Sequence, residues 1–254
     1  MKIWLEPYGV IEVENELKFR VEERWFHGKD AKVLIINNLE IPLRIGLVRG
    51  QQQLNKVELL TIAKYYANKH DFLKKLDEWR TKKRDFFGKH IDMIALSLQK
   101  FAENNAKEEE LDKFLNYLQN LFEREEKVRR MKEELNGKLT RLDNNLEYYE
   151  SDKSNLKLLL FRFNKYDLDK PIYYLFLINK ETKEVEFRKT KSLTTIYNIL
   201  FEDKLNQIGR LQEVNKEDFK MFGNNFVFYL KAIIFDYEDE IKKKILGKII
   251  SSNL

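Results

Sequence analysis

Basic side chains crowd one stretch of the chain: Lys64, Lys69, Lys74, Lys75, Arg80, Lys82, Lys83, Arg84 and Lys89. Tyr65, Tyr66, Phe72, Trp79, Phe86 and Phe87 lie between them. Lysine and arginine neutralise phosphates and aromatic rings stack on unpaired bases, so this mixture is suited to holding nucleic acid. Acids are sparse through the stretch, which predicts a positive patch open to a polyanion. The competing reading turns the aromatics into the core and leaves the lysines merely solvated.

Other chemistries find less support. Cysteine is absent, which removes disulfides, thiolate metal sites and thiol nucleophiles together. The three histidines, His27, His70 and His90, fall in different expected elements without metal-ligand spacing. Asp167 and Asp169 sit two residues apart at the end of an expected strand, where paired carboxylates can hold Mg²⁺ or Mn²⁺ for phosphoryl transfer. The plainer reading is a turn before Pro171. Glu181-Thr182-Lys183 spells the Glu-x-Lys of one nuclease class but lies in an expected hairpin turn rather than on a strand. No Walker, Rossmann or Gly-x-Ser-x-Gly loop occurs.

Arg84-Asp85-Phe86-Phe87-Gly88-Lys89-His90 resembles the Arg-polar-x-x-x-x-His signature of HEPN ribonucleases, which lies on a helix. That resemblance implies a metal-independent endoribonuclease. His90 would move the proton of a ribose 2′-hydroxyl and Arg84 would steady the phosphorane charge. A similar spacing recurs at Arg20 and His27, and a structural arginine beside a surface histidine is the plainer reading.

The elements that must position these residues are marked by proline and by periodicity. Only Pro7, Pro42 and Pro171 occur, so 43–170 is open to long helices. Val10-Ile11-Glu12-Val13-Glu14 and Leu17-Lys18-Phe19-Arg20-Val21-Glu22 alternate as strands do, around a turn at 14–16. Trp25-Phe26-His27 and Val33-Leu34-Ile35-Ile36 supply two more strands. Residues 54–150 then read as helices. Val57, Leu60, Ile62, Ala63 and Tyr66 mark the first, and Ile91, Ile94, Ala95 and Leu98 mark another. A long third helix takes in Leu111, Leu115, Leu118, Phe122, Val128, Met131, Leu135, Leu139, Leu142, Leu146 and Tyr149 at steps suited to a coiled-coil seam. Asn136-Gly137 is a place for it to end or kink. A hairpin is expected over 172–188, and helices over 192–207 and 226–246.

The expected class is therefore α+β: a small N-terminal β-domain (1–46), then a mainly helical domain (47–254) with a long-helix centre, a hairpin and terminal helices. With 254 residues, 43% of them hydrophobic, a sizeable core is available and a disordered chain is excluded. The net charge of +5 agrees with an anionic partner. No apolar run reaches the ~20 residues that span a bilayer, and the first sixteen residues lack the apolar core of a leader. The expectation is a cytoplasmic protein with no membrane partner.

Leu47-Val48-Arg49-Gly50-Gln51, Ile62-Ala63-Lys64 and Lys69 resemble the entry to the helical domain of the integrase subunit of CRISPR spacer acquisition. Asn215-Lys216-Glu217-Asp218-Phe219, Gly223-Asn224 and Tyr229-Leu230 resemble its closing segment. The resemblance covers about a quarter of the chain. It implies DNA as the ligand, with Arg49, Lys64 and Lys69 on phosphates, a homodimer, and membership of a larger protein complex in antiviral defence. The family's metal site takes a Glu, a His and an Asp in order. Here Leu135-Asn136-Gly137-Lys138-Leu139-Thr140-Arg141 lacks the acid, and no His follows His90. Mg²⁺ or Mn²⁺ would be needed only if integrase activity were retained, and no other cofactor is expected. The leading expectation is nucleic-acid binding by a degenerate integrase-like scaffold. An endoribonuclease and a structural or oligomerisation protein built on the long helix are the alternatives.

Overall fold

The computed structural model describes residues 2–5, 9–12, 19–26, 29–36, 39–45, 56–164, 170–215, 218, 222 and 225–250. The chain is α+β and divides into two compact units, residues 1–123 and 124–254.

In the first unit, β1 (Lys2–Leu5) and β2 (Gly9–Glu12) form an antiparallel pair with Ile3 opposite Ile11. A three-stranded antiparallel sheet follows, in the order β3 (Phe19–Phe26), β4 (Lys29–Ile36), β5 (Leu39–Ile45). The alternation at 19–22 and the aromatic pair at 25–26, expected as separate strands, are one strand, and the expected turn at 14–16 lies outside the described residues. Strand β5 carries Pro42, which cannot donate to a ladder. It is tolerated because β5 is an edge strand, where a missing donor costs no central pairing.

Helices α1 (Lys56–Ala67), α2 (His70–Lys82), α3 (Arg84–Lys89) and α4 (Ile91–Glu103) lead to the 31-residue α5 (Glu108–Lys138). Their apolar residues at three- and four-residue steps make one core. It takes Ile62 and Tyr66 from α1, Phe72 and Leu76 from α2, and Phe86 and Phe87 from α3. Ile94 and Leu98 join it from α4, and Leu111, Phe114 and Leu118 from the first turns of α5. The hydroxyl of buried Tyr66 donates to the Leu98 carbonyl at 2.6 Å, and that of Tyr65 to Ala106 at 2.8 Å. Asn105 turns the chain from α4 into α5 at φ 47°, a left-handed conformation that asparagine tolerates.

The second unit is built on a six-stranded antiparallel meander in the order β11-β10-β9-β8-β7-β6. These strands are β6 (Thr140–Asp143), β7 (Leu146–Asp152), β8 (Leu156–Phe163), β9 (Ile172–Asn179), β10 (Val185–Thr190) and the short β11 (Gln212–Glu213). Central strands β8 and β9 are apolar on both faces because both are covered. Leu159, Phe161, Tyr174 and Phe176 pack with Phe226 and Leu230 of α7 (Asn225–Ile233) and Ile241 and Ile245 of α8 (Asp239–Ile250). On the other face Leu158, Leu160, Leu175 and Leu177 pack with Leu135 of α5 and with Ile196 and Ile199 of α6 (Leu193–Leu200). Ser192 caps α6 by accepting from the Thr195 amide at 3.2 Å.

Three expectations about helices need correction. The long helix stops at Lys138, not near Tyr149: Asp143-Asn144-Asn145 makes a tight turn, and Thr140 pairs with Tyr148 across a hairpin. Leu139, Leu142 and Leu146 keep a helical step by coincidence. The two compact units are bounded at 123/124, and the expected 172–188 hairpin is part of a six-stranded sheet. The helix expected over 226–246 is two helices broken at 234–238. The one expected over 192–207 ends at Leu200, with a separate 3₁₀ turn over Leu205–Arg210. The 172–188 hairpin is present as β9 and β10, with Lys183 in its turn at φ 57°.

Candidate nucleic-acid interface

The basic stretch occupies α1, α2 and α3. Amphipathic spacing places Phe72, Leu73 and Leu76 of α2 inward, which sends Lys74, Glu78 and Lys82 to the solvent side. Of the two readings of the aromatics, the core reading is the one observed: Tyr65, Tyr66, Phe72, Phe86 and Phe87 are all buried. None is presented for base stacking.

Four of the cations are held by carboxylates. Lys69 pairs with Glu108 at 3.6 Å, Lys75 with Asp112 at 3.2 Å, Arg80 with Asp77 at 2.9 Å and Lys82 with Glu78 at 3.3 Å. Lys83 is turned inward. Its ammonium lies 3.5 Å from the centre of the Trp79 ring and 3.9 Å from that of Phe122, and donates to Gln119 at 3.0 Å. Burial lowers the Lys83 pKa, the Glu123 carboxylate opposes that shift and Lys82 reinforces it. Lys64, Lys74 and Arg84 are exposed and have no ion pair or hydrogen bond among the described residues. The expected cationic face is thus reduced and interrupted: Glu108 and Asp112 of α5, distant in sequence, reach back to Lys69 and Lys75, and Asp77 and Glu78 pair within α2. Arg49 lies outside the described residues.

A cavity of about 370 Å³ opens at the α1–α2 junction beside the start of α5. Lys69, Lys75 and His70 line it together with Asp71, Glu108 and Asp112. With His70 neutral the lining carries one more negative than positive charge, so it does not favour a phosphate. Tyr65 feels one of these acids: burial first, then Glu110 and Glu108, pushes its hydroxyl up to about 12.

Arg84 opens the six-residue α3 and His90 closes it, about 9 Å further along the axis by helical rise. The His90 ring packs on Phe86 with centroids 4.6 Å apart, while Arg84 is exposed. Among the described residues no three His, Asp or Glu side chains converge in a way that could hold a metal ion. Asp167 and Asp169 lie outside them, and Glu181 and Lys183 are in the β9–β10 turn, where Lys183 pairs with Glu238 at 2.7 Å.

Two polar clusters form in the second unit, one of them on Asn215 and Asp218 of the segment quoted above. The buried Asp218 carboxylate accepts from Lys189 at 2.6 and 2.8 Å, from the Tyr174 hydroxyl at 3.2 Å and from the Asn215 amide at 2.8 Å. Arg162, also buried, donates to Glu147 at 2.6 Å and to Asn136. These contacts all lie within the unit: the first cluster ties β9 and β10 to Asn215 and Asp218, and the second ties β7 and β8 to the end of α5. Leu135–Arg141 spans the end of α5 and the start of β6.

No family model, no curated protein and no solved structure matches the chain. No helix among the described residues is long and apolar enough to cross a membrane.

Proposed function

We propose that the helical part of the first unit binds the phosphate backbone of nucleic acid weakly and without sequence selectivity, through Lys64, Lys74 and Arg84. One observation carries this reading: these three cations stand on the solvent sides of three successive helices and have no carboxylate partner among the described residues. The remaining cations of the stretch contribute less, since a phosphate must first displace Glu108, Asp112, Asp77 or Glu78. With the aromatics buried, bases are not read by stacking, and an intact duplex suits the surface better than a splayed single strand. The choice of DNA over RNA, and a cytoplasmic setting, follow the resemblance of Ile62-Ala63-Lys64 and Lys69 to the spacer-acquisition integrase subunit. A scaffold of that descent without its catalytic carboxylate and histidine would bind without cutting. Filter binding of a duplex DNA at rising salt tests the proposal. The wild-type chain retains DNA at low salt, and the triple variant Lys64→Gln, Lys74→Gln, Arg84→Gln does not. No retention at low salt, or retention that the triple variant leaves unchanged, overturns it.

A further inference from the structure

Helix α5 opens on Glu108, Glu109 and Glu110, and Asp112 follows within the next turn. Acids in a first turn complement the positive end of a helix, a role that needs no lysine partner. Two of these four do something more. Glu108 and Asp112 are four residues apart, so they share one side of α5, about 6 Å apart along its axis. That side meets the first half of α2, where Glu108 pairs with Lys69 at 3.6 Å and Asp112 with Lys75 at 3.2 Å. Glu110 instead accepts from the Lys107 amide at 2.9 Å, and Glu109 is exposed with no ion pair among the described residues.

The pairs of Arg80 with Asp77 and of Lys82 with Glu78 are of another kind, since periodicity alone sets them side by side on one exposed helix. A pair between α2 and α5 forms only where the two helices meet. They meet around the cavity at the α1–α2 junction, which Lys69, Lys75, Glu108 and Asp112 line together. Glu108 is 80% and Asp112 59% exposed at the side chain, so each carboxylate can rotate into solvent without disturbing the core. With both in place the lining is negative on balance. With both withdrawn and His70 neutral, Lys69 and Lys75 outweigh Asp71 and the balance turns positive. Two side chains of α5 thus set the sign of the field at this opening. A nucleic-acid strand likewise presents single negative charges at short, regular steps.

We infer, on the phosphate-binding reading above, that Glu108 and Asp112 act as an internal stand-in for phosphate, occupying Lys69 and Lys75 and holding the helical surface at low affinity. Carboxylate and phosphate compete for the same two ammonium groups. Lys75 is 57% exposed and Lys69 18%, so displacing Asp112 gives the larger gain.

Filter binding of the full chain to duplex DNA at rising salt tests this with variants that each remove one negative charge. Asp112→Asn should raise affinity about tenfold at about 50 mM salt and steepen the slope of log affinity against log salt by about 0.9, one added phosphate contact. Glu108→Gln moves both in the same direction by less. Glu109→Gln, the same charge change one residue away, leaves the slope unchanged. Adding Lys75→Gln to Asp112→Asn returns the slope to that of wild type, whereas Lys75→Gln alone does not alter it. An Asp112→Asn slope equal to wild type overturns the inference, and so does equal steepening by Glu109→Gln. If wild type fails to bind at low salt while the Glu108→Gln, Asp112→Asn double variant binds, the internal competition stands and the reading of Lys64, Lys74 and Arg84 as open contacts falls. Binding by neither overturns both.

Discussion

Raising the salt concentration separates the arrangement of charges observed here from the one the sequence alone suggests. Each phosphate neutralised on duplex DNA contributes about −0.9 to the slope of log affinity against log salt. Three available cations, Lys64, Lys74 and Arg84, therefore give a slope of about −2.7 and a loss of about 40-fold between 50 and 200 mM salt. Were all nine basic residues of 64–89 on phosphates, the slope would be about −8 and the loss over the same interval nearly 10⁵-fold. The two outcomes differ by three orders of magnitude, far beyond assay error. Filter binding with a short duplex at five or six salt concentrations measures the slope. Lys74→Gln alone should move it by about one unit, since Lys74 stands at the middle of the exposed side of α2. Lys83→Gln should leave it unchanged, because that ammonium is seated on Trp79 and Phe122. A slope steeper than about −6, or equal sensitivity to Lys74→Gln and Lys83→Gln, refutes the reasoning from ion pairing.

Three further outcomes follow from particular contacts. Asp218→Ala leaves the Lys189 ammonium facing a largely buried void and should cost about 3 kcal/mol in urea unfolding; a loss below about 1 kcal/mol would mean that the cluster does not hold the loop. Tyr65 is raised to about 12 and Tyr66 is raised further, both chiefly by burial, so the unfolded chain releases these protons first. Stability is then full below about pH 10 and withdrawn as pH climbs towards 12, and thermal melts of Tyr65→Phe and Tyr66→Phe should show a weaker alkaline decline. On the acid side, burial raises Glu150 but its hydrogen bonds with Lys157 and Tyr148 outweigh that, and the hydrogen bond from Lys180 holds Asp152 below its ordinary value. The folded second unit keeps these carboxylates ionised, so stability present above about pH 4.5 should fall as pH drops through the folded-state values; in Glu150→Gln melts this decline should be shallower.

Local features of the fold were legible where one element was decided by its own residues. The apolar steps of α1 and α4 and the hairpin of β9 and β10 are such cases. The end of α5 was less so. Leucines at 139, 142 and 146 continue a helical step, and only the pairing of Thr140 with Tyr148 settles the matter in favour of strands. Strand β5 was hidden by Pro42, whose acceptability depends on being at a sheet edge, a property of neighbours rather than of the segment.

The candidate site divides in the same way. Residue order determined that 64–89 is amphipathic, rich in cations and rich in aromatics, because helical periodicity alone sorts Phe72 and Leu76 from Lys74 and Lys82. It also determined that the chain carries no thiol chemistry. Which of those cations remain available was decided only in three dimensions. Glu108 and Asp112 stand some forty residues downstream of the lysines they neutralise, and Lys83 is withdrawn by rings and an amide that come from α2 and α5. Coulomb attraction acts through space and falls off over a few ångströms, so a count of acids along the chain misses the ones that folding brings alongside.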